Sequence, residues 1–302
     1  MTGIHLLLSY RCTDECDHCF LWGSPKARGT MTIEQIRDVL VQAEGLGTVE
    51  SVYFEGGEPF LFYPIMIEGL RQAADHGFKL GVVTNCYWAT SVDDAERWLR
   101  PMADIGIEDL SLSTDLFHSE SSMSAKATNA IEAARRLGLP ESIITIEQPG
   151  ECSPAEQGDR GEPVSGGQVL FRGRAVDKLL DGVVRRPWTE LTECPSEDFA
   201  NPGRVHVDAF GNVHVCQGLV MGNLWDHPLK HLVESYEPST HPIIGPLLAG
   251  GPAALVERYG LAHEEIYADA CHLCYVARDA LRASFPEFLA PPTVYGDLEE
   301  AD

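Results

Sequence analysis

The sequence predicts an α/β fold: an open, partial (β/α)6 barrel followed by a small region of β-hairpin plus helix. Three observations predict it. Apolar runs of strand length alternate with helix-period segments from residue 4 to about residue 175. Cysteine- and glycine-bearing stretches follow the C-terminal ends of these runs, where parallel sheets and barrels place their sites. Past residue 185 the alternation gives way to a hairpin pattern and a second group of cysteines. This divides the chain into 1–185, 186–290 and an acidic tail over 291–302, a loose strap or end.

The first strand, 4–9, leads into Cys12, Cys16 and Cys19, three thiols on eight residues. A loop that short can aim all three sulfurs at one small object. Three thiolates leave tetrahedral zinc incomplete, but they can hold three corners of an iron–sulfur cluster and leave one iron open. Thr32 and Gln35 form a capping box, and Ile33, Ile36, Leu40 and Ala43 follow at helical spacing. The second strand, 49–54, runs into Glu55-Gly56-Gly57-Glu58-Pro59. The glycines permit close backbone approach to a ligand, and Glu58 can accept from an ammonium group.

A helix over 63–76 and a third strand over 78–84 end in Thr84-Asn85-Cys86. A helix over 91–105 precedes the fourth strand, 110–115, with Ser113 and Asp115 near its end. His118 just beyond can touch substrate. An alanine-rich helix spans 121–138 and a fifth strand 143–147. Residues 148–168 lack periodicity and read as a lid or disordered loop carrying Cys152, an exposed thiol. The sixth strand is 169–175. Beyond it, 204–207 and 213–215 form a hairpin around a turn at 208–212, and a helix covers 276–285. Cys194, Cys216, Cys271 and Cys274 make a four-thiolate set, suited to a closed iron–sulfur cluster or to structural zinc. The other histidines, including His206, His214, His227 and His272, read as solvent-facing or structural.

Composition narrows the function classes. The net charge is −24 over 302 residues, which disfavours nucleic acid and anionic membranes as partners. Nine cysteines, several of them in tight clusters, indicate metal binding in a reducing compartment, hence the cytoplasm. The start lacks a signal peptide's basic region. The most apolar stretch, 243–255, is broken by Pro246, Gly250, Gly251 and Pro252, too short a run for a membrane span.

The C-x3-C-x2-C spacing after a first strand, with Gly-Gly-Glu-Pro one helix later, resembles the radical S-adenosylmethionine (radical SAM) enzymes. That resemblance implies a [4Fe-4S] cluster held by Cys12, Cys16 and Cys19, with SAM on its open iron. Reductive cleavage then yields methionine and a 5′-deoxyadenosyl radical that abstracts hydrogen from substrate. It further implies that Gly56, Gly57 and Glu58 receive the methionine amine. His18, where the family usually has an aromatic residue, would by this resemblance lie near the adenine, an exposed loop histidine being its alternative role. Ser113 and Asp115 lie near the ribose and methionine, a helix N-cap being their alternative role. Cys86 stands where the family often has glycine, and is either a hydrogen-atom donor or a small buried residue. Gly173-Arg174-Ala175 is similar to a segment of members with C-terminal clusters. It assigns Arg174 to a carboxylate of SAM or substrate, or to a surface ion pair.

The hairpin and second cysteine set resemble the auxiliary-cluster domains called SPASM and twitch, in the shorter twitch form with one further [4Fe-4S] cluster. The implied function is hydrogen abstraction from a small metabolite, ending in dehydrogenation, decarboxylation or epimerisation. Electrons come from an external donor such as flavodoxin or ferredoxin. The alternatives are a maturase acting on a ribosomally made peptide, and an electron carrier or redox sensor without SAM chemistry. Against the maturase, the chain starts almost at the first core strand, with no room for a leader-binding domain.

Overall fold

A computed structural model describes residues 1–150, 160–161 and 166–297. Its first part alternates as the periodicity predicts: β1 (Gly3–Ser9), α1 (Ile33–Leu46), β2 (Ser51–Gly56), α2 (Tyr63–Asp75), β3 (Lys79–Thr84), α3 (Val92–Ile105), β4 (Asp109–Ser113), α4 (Ala125–Leu137) and β5 (Glu141–Glu147). Then come β6 (Gly166–Gln168), α5 (Arg174–Lys178), β7 (Arg186–Pro187), β8 (Arg204–Asp208), β9 (Asn212–Cys216) and β10 (Leu219–Asn223). The chain closes with α6 (Leu229–Glu234), α7 (Ile244–Tyr259), β11 (Ile266–Tyr267) and α8 (Ala270–Leu281).

Local chemistry sets these boundaries. Thr32 caps α1 through the reciprocal box with Gln35. Ser91 and Ser124 cap α3 and α4 through their hydroxyls. In β1 successive residues point to opposite faces: Ile4, Leu6 and Leu8 are fully buried, while His5 faces the cavity described below.

One open sheet carries the molecule, in the order β10-β9-β8-β1-β2-β3-β4-β5-β6. The strands from β8 through β6 run parallel, and β9 and β10 are antiparallel additions. This is the partial barrel the sequence predicts, and it is not closed. Its β1 is central because β8 pairs with it in parallel, Ile4 opposite Val205 and Leu6 opposite Val207. The sheet therefore crosses the boundary expected at residue 185, and the main apolar core runs from Ile4 to Tyr295.

Other expectations change. The sixth strand is short and lies earlier, at 166–168. Val169, Phe171 and Ala175 instead form a small apolar cluster of their own, and the Phe171 N–H donates to Asp269 rather than to a strand. The cysteine-bearing helix starts six residues early, because the Asp269 side chain caps it by accepting from the His272 N–H. The expected tail is docked as far as it is described: Val294 and Tyr295 are buried, and the Tyr295 hydroxyl donates to the Gly218 carbonyl. Residues 298–302 and Cys152 lie outside the described residues, as does most of the expected lid.

Candidate active site

The strand ends build the site. A cavity of about 400 Å³ is lined by Cys12, Cys16 and Cys19 together. Gly56, Gly57, Ser113, Asp115 and His18 line the same cavity. Residues from three separate segments thus meet at the C-terminal ends of β1, β2 and β4.

The cysteine loop is held from outside by backbone and guanidinium contacts. The Gly23 and Asp14 N–H groups point at Cys19 Sγ (3.3 Å) and Cys12 Sγ (3.5 Å). Asn85 donates to Thr13 and Asp14, each at 2.8 Å, and stands 3.7 Å from Cys12 Sγ. Burial pushes the Cys12 thiol up to about 12, and Cys16 rises further. Grouped thiols this buried ionise only against a strong local cation, which an iron–sulfur centre supplies. Zinc–thiolate bonds of about 2.3 Å put sulfurs roughly 3.8 Å apart. Among the described residues, the metal-ligand groups drawn within 4.8 Å are His5–Glu55–His206 and His18–Asp115–His118; neither cysteine set is among them. Three cysteine sulfurs on one cavity wall are the donor set of an iron–sulfur cluster with one open iron.

Arg174 is not at the cavity. It is buried, donating to the carbonyls of Cys16 and Gly23, each at 2.8 Å, with its guanidinium over the Trp22 ring. The backbone bends there to place it: a Cβ on Gly173 would lie 2.5 Å from Phe20 Cα. The expected carboxylate partner is thus replaced by the cysteine loop itself. Cys86 is also outside the cavity, fully buried, with Sγ 3.9 Å from the Thr84 carbonyl oxygen. Its φ of +64° is the left-handed region that suits glycine. The geometry offers it no contact with a substrate, so the hydrogen-donor expectation is set aside.

The Gly-Gly-Glu turn acts differently from expectation. A Cβ on Gly57 would stand 2.2 Å from the Arg11 carbonyl oxygen, and one on Gly56 2.5 Å from that of Ser9. The glycines are needed because this turn lies against the cysteine loop. Glu58 is fully buried behind the cavity. It accepts from Phe60 N–H (3.0 Å), Thr84 Oγ1 (2.9 Å) and Asn85 N–H (2.8 Å). Burial raises its carboxyl to about 7 despite these bonds. It braces Asn85, which in turn holds the cysteine loop.

Asp115 accepts from the N–H groups of Phe117 and Ile146 and pairs with His118 Nδ1 at 2.8 Å. Burial opposes its ionisation, but His118 together with the neighbouring donors outweighs burial and keeps it below the usual carboxylate range. His18 packs against Phe117 with ring centroids 4.5 Å apart and the planes tilted by 36°, and burial lowers it to about 4, so its ring is neutral at pH 7.

The second cysteine set comes together from three distant stretches. Cys194, Cys216, Cys271 and Cys274 line a separate, small cavity of about 20 Å³. Two buried guanidiniums, Arg172 and Arg278, line it too. Arg172 Nη1 donates to Cys216 Sγ at 3.3 Å and faces Glu197 at 3.5 Å. The same Arg172 lines the large cavity, so it stands between the two cysteine sets. Two buried cations beside four sulfurs match an anionic metal centre.

Sequence reasoning missed Arg172, Asn85, Arg278 and the cavity-lining trio His5, Glu55 and His206. His206 and His214, taken as solvent-facing or structural, are both buried; His214 is structural, bonded to Asp208 at 3.1 Å. The one signal available for His5 was a lone imidazole inside an apolar strand.

Comparison with known proteins now decides the family of the first part. Residues 6–151 match the radical SAM superfamily. This segment is a radical SAM domain. It contains the cysteine loop, the Gly-Gly-Glu turn and β1 to β5. YydG of Bacillus subtilis (strain 168), assigned provisionally by name to peptide biosynthesis, is 26% identical over 143 residues, 47% of this chain and 44% of YydG. A Pyrococcus furiosus protein named as modifying the cofactor of tungsten-containing aldehyde ferredoxin oxidoreductase is 27% identical over 117 residues, 38% of this chain and 31% of that one. The chain thus aligns with less than half the length of either relative. Among solved structures, BtrN in complex with AdoMet and 2-DOIA overlaps 77% of this chain and 81% of its own, with 14% identity and a TM-score of 0.46. No helix of the described residues is long and apolar enough to cross a membrane.

Proposed function

We propose that this radical SAM enzyme cleaves SAM reductively and abstracts hydrogen from a small polar metabolite. In this reading Cys12, Cys16 and Cys19 hold the SAM-binding [4Fe-4S] cluster. Cys194, Cys216, Cys271 and Cys274 hold a second one, in a twitch-like region over 186–290. When bound, the first cluster and SAM supply a 5′-deoxyadenosyl radical at the C-terminal ends of the strands.

The observation that carries the reading is the single cavity shared by the three sulfurs, the Gly56-Gly57 backbone, Ser113 and Asp115. This chain's own residues orient and exclude. Asp115 and Ser113 offer acceptors for ribose hydroxyls, and neutral His18 a flat surface for a base. Deeper in the cavity Tyr53, Asp109, Ser111 and Ser142 present hydroxyls and a carboxylate, a lining for a hydroxylated substrate. Arg172 between the cysteine sets suits a second cluster that takes an electron from the substrate. A flavodoxin or ferredoxin in the cytoplasm supplies the first electron. A second reading, modification of a peptide, draws on the name of YydG.

Anaerobically reconstituted protein is expected to contain iron and sulfide and to form 5′-deoxyadenosine from SAM under reduction. Substitution of Cys12, Cys16 and Cys19 by alanine abolishes this. Reduced, iron-loaded protein that leaves SAM intact would sink the reading in favour of an electron carrier. Incubation with polyols and amino sugars against short peptides, scored by 5′-deoxyadenosine, separates the two substrate classes.

A further inference from the structure

The floor of the cavity carries a site that the SAM chemistry does not use. His5 on β1, Glu55 on β2 and His206 on β8 come from three neighbouring parallel strands, with His5 in register opposite His206. Their ligand atoms all lie within 4.8 Å of one another. Glu55 Oε2 is 3.3 Å from His5 Nδ1, and Oε1 is 3.0 Å from His206 Nε2. Metal–ligand bonds of about 2.1 Å set neighbouring donors roughly 3.0 Å apart in an octahedron and 3.4 Å in a tetrahedron. The two observed distances, one to each carboxylate oxygen, lie in that range, so that both oxygens of Glu55 face an imidazole donor.

Hydrogen bonding within the protein leaves this group short. His5 is 5% exposed, and beyond its 3.3 Å approach to Glu55 its Nδ1 has no hydrogen-bond partner. Gln217 is 4% exposed; its Oε1 likewise has no hydrogen-bond partner, while its Nε2 stands 3.4 Å from His206 Nε2. One imidazole nitrogen cannot donate to Glu55 and accept from this amide together. Buried polar atoms are rarely left in this condition. The nearby positive charge of Arg204 is partly balanced, since Glu197 stands 3.5 Å from it.

We propose that His5, Glu55 and His206 bind one divalent transition-metal ion whose open positions face the cavity. Two imidazoles and one carboxylate on one side of an ion leave sites for outside ligands. An amide flip of Gln217 adds a neutral oxygen. All three side chains line the cavity that holds the cysteine loop. His5 lies four residues before the end of β1, roughly 13 Å below the rim at about 3.3 Å per residue. Resting on the proposed function, the ion takes a hydroxyl or carboxylate oxygen of the substrate and fixes its C–H bond under the cysteine loop. The substrate class is therefore a polyol or hydroxy acid with two neighbouring oxygen donors.

Manganese(II) tests this, because it favours oxygen donors over thiolate and spares the cysteine sets. Cluster-loaded wild-type protein is stripped with a chelator and titrated anaerobically with Mn²⁺ alone, followed by EPR. One tightly bound ion with pulsed-EPR couplings to imidazole nitrogen is expected. Glu55→Gln should weaken binding about 100-fold or more. No bound ion, or a bound ion without imidazole couplings, overturns the proposal on wild-type protein alone, whatever the variant's folding. Cleavage of SAM by the same wild-type sample without Mn²⁺ tests the proposed function separately.

Discussion

Two arginines two residues apart take opposite tasks. Arg174 ties the Cys16 and Gly23 carbonyls together from behind the cysteine loop. Its planar fork reaches two acceptors at once, which a lysine cannot reproduce. Arg174→Lys gives up one bond worth about 1.5 kcal/mol, so iron should leave the first cysteine set roughly tenfold faster during gel filtration; unchanged retention would make the contact incidental. Arg172 faces the second set instead, with a direct bond to Cys216 Sγ. A positive charge there favours the reduced, more negative state of any cluster the set holds. Arg172→Gln should make its midpoint more negative by roughly 60 mV, the equivalent of about 1.4 kcal/mol. An unmoved midpoint in redox-poised EPR would count against a cluster beside this guanidinium.

At the scale of elements, helix starts and turns hold the C-terminal part in place. The buried ring of His241 stands at the start of α7, where its Nδ1 accepts from the N–H groups of Ile243 and Ile244, both at 3.1 Å. It thus does the work of an N-cap. Burial lowers it from the ordinary 6.5 to about 4. The folded value lies below the unfolded one, so this contribution is complete above about pH 6.5 and is lost as pH falls toward 4. The linked difference is about 3 kcal/mol in full, of which about 2 kcal/mol is lost between pH 8 and pH 5. His241→Asn keeps a capping oxygen without the titration. Urea unfolding at pH 8 and pH 5 should show wild type losing stability relative to His241→Asn; parallel loss in both would refute the linkage.

For the molecule as a whole, the C-terminal region is part of the barrel sheet. Without β8, β1 becomes an exposed edge carrying the apolar face that Val205 and Val207 now flank. A fragment of residues 1–185 should therefore aggregate or unfold without cooperativity, as read by size-exclusion chromatography and thermal circular dichroism. A soluble fragment with a sharp transition would restore the boundary at 185.

Much of this was legible beforehand. Thr32 and Gln35 announce α1, the cysteine spacing announces the loop, and Glu55-Gly56-Gly57-Glu58 announces the turn, because each signal acts over a few residues. The roles of Glu58 and Arg174 were misjudged because motif position does not reveal which atoms already have partners. His206 was passed over because nothing nearby in the chain marks it.

The sequence by itself determined the strand–helix alternation, the radical SAM domain and which cysteines group together, since spacing and periodicity act locally. Only the tertiary structure decided that β8 enters beside β1, bringing His206 to His5 and Glu55, and that Arg172 falls between the two cysteine sets. Those meetings depend on strand order and register across about two hundred residues, where pairing is chosen by burying whole apolar faces together.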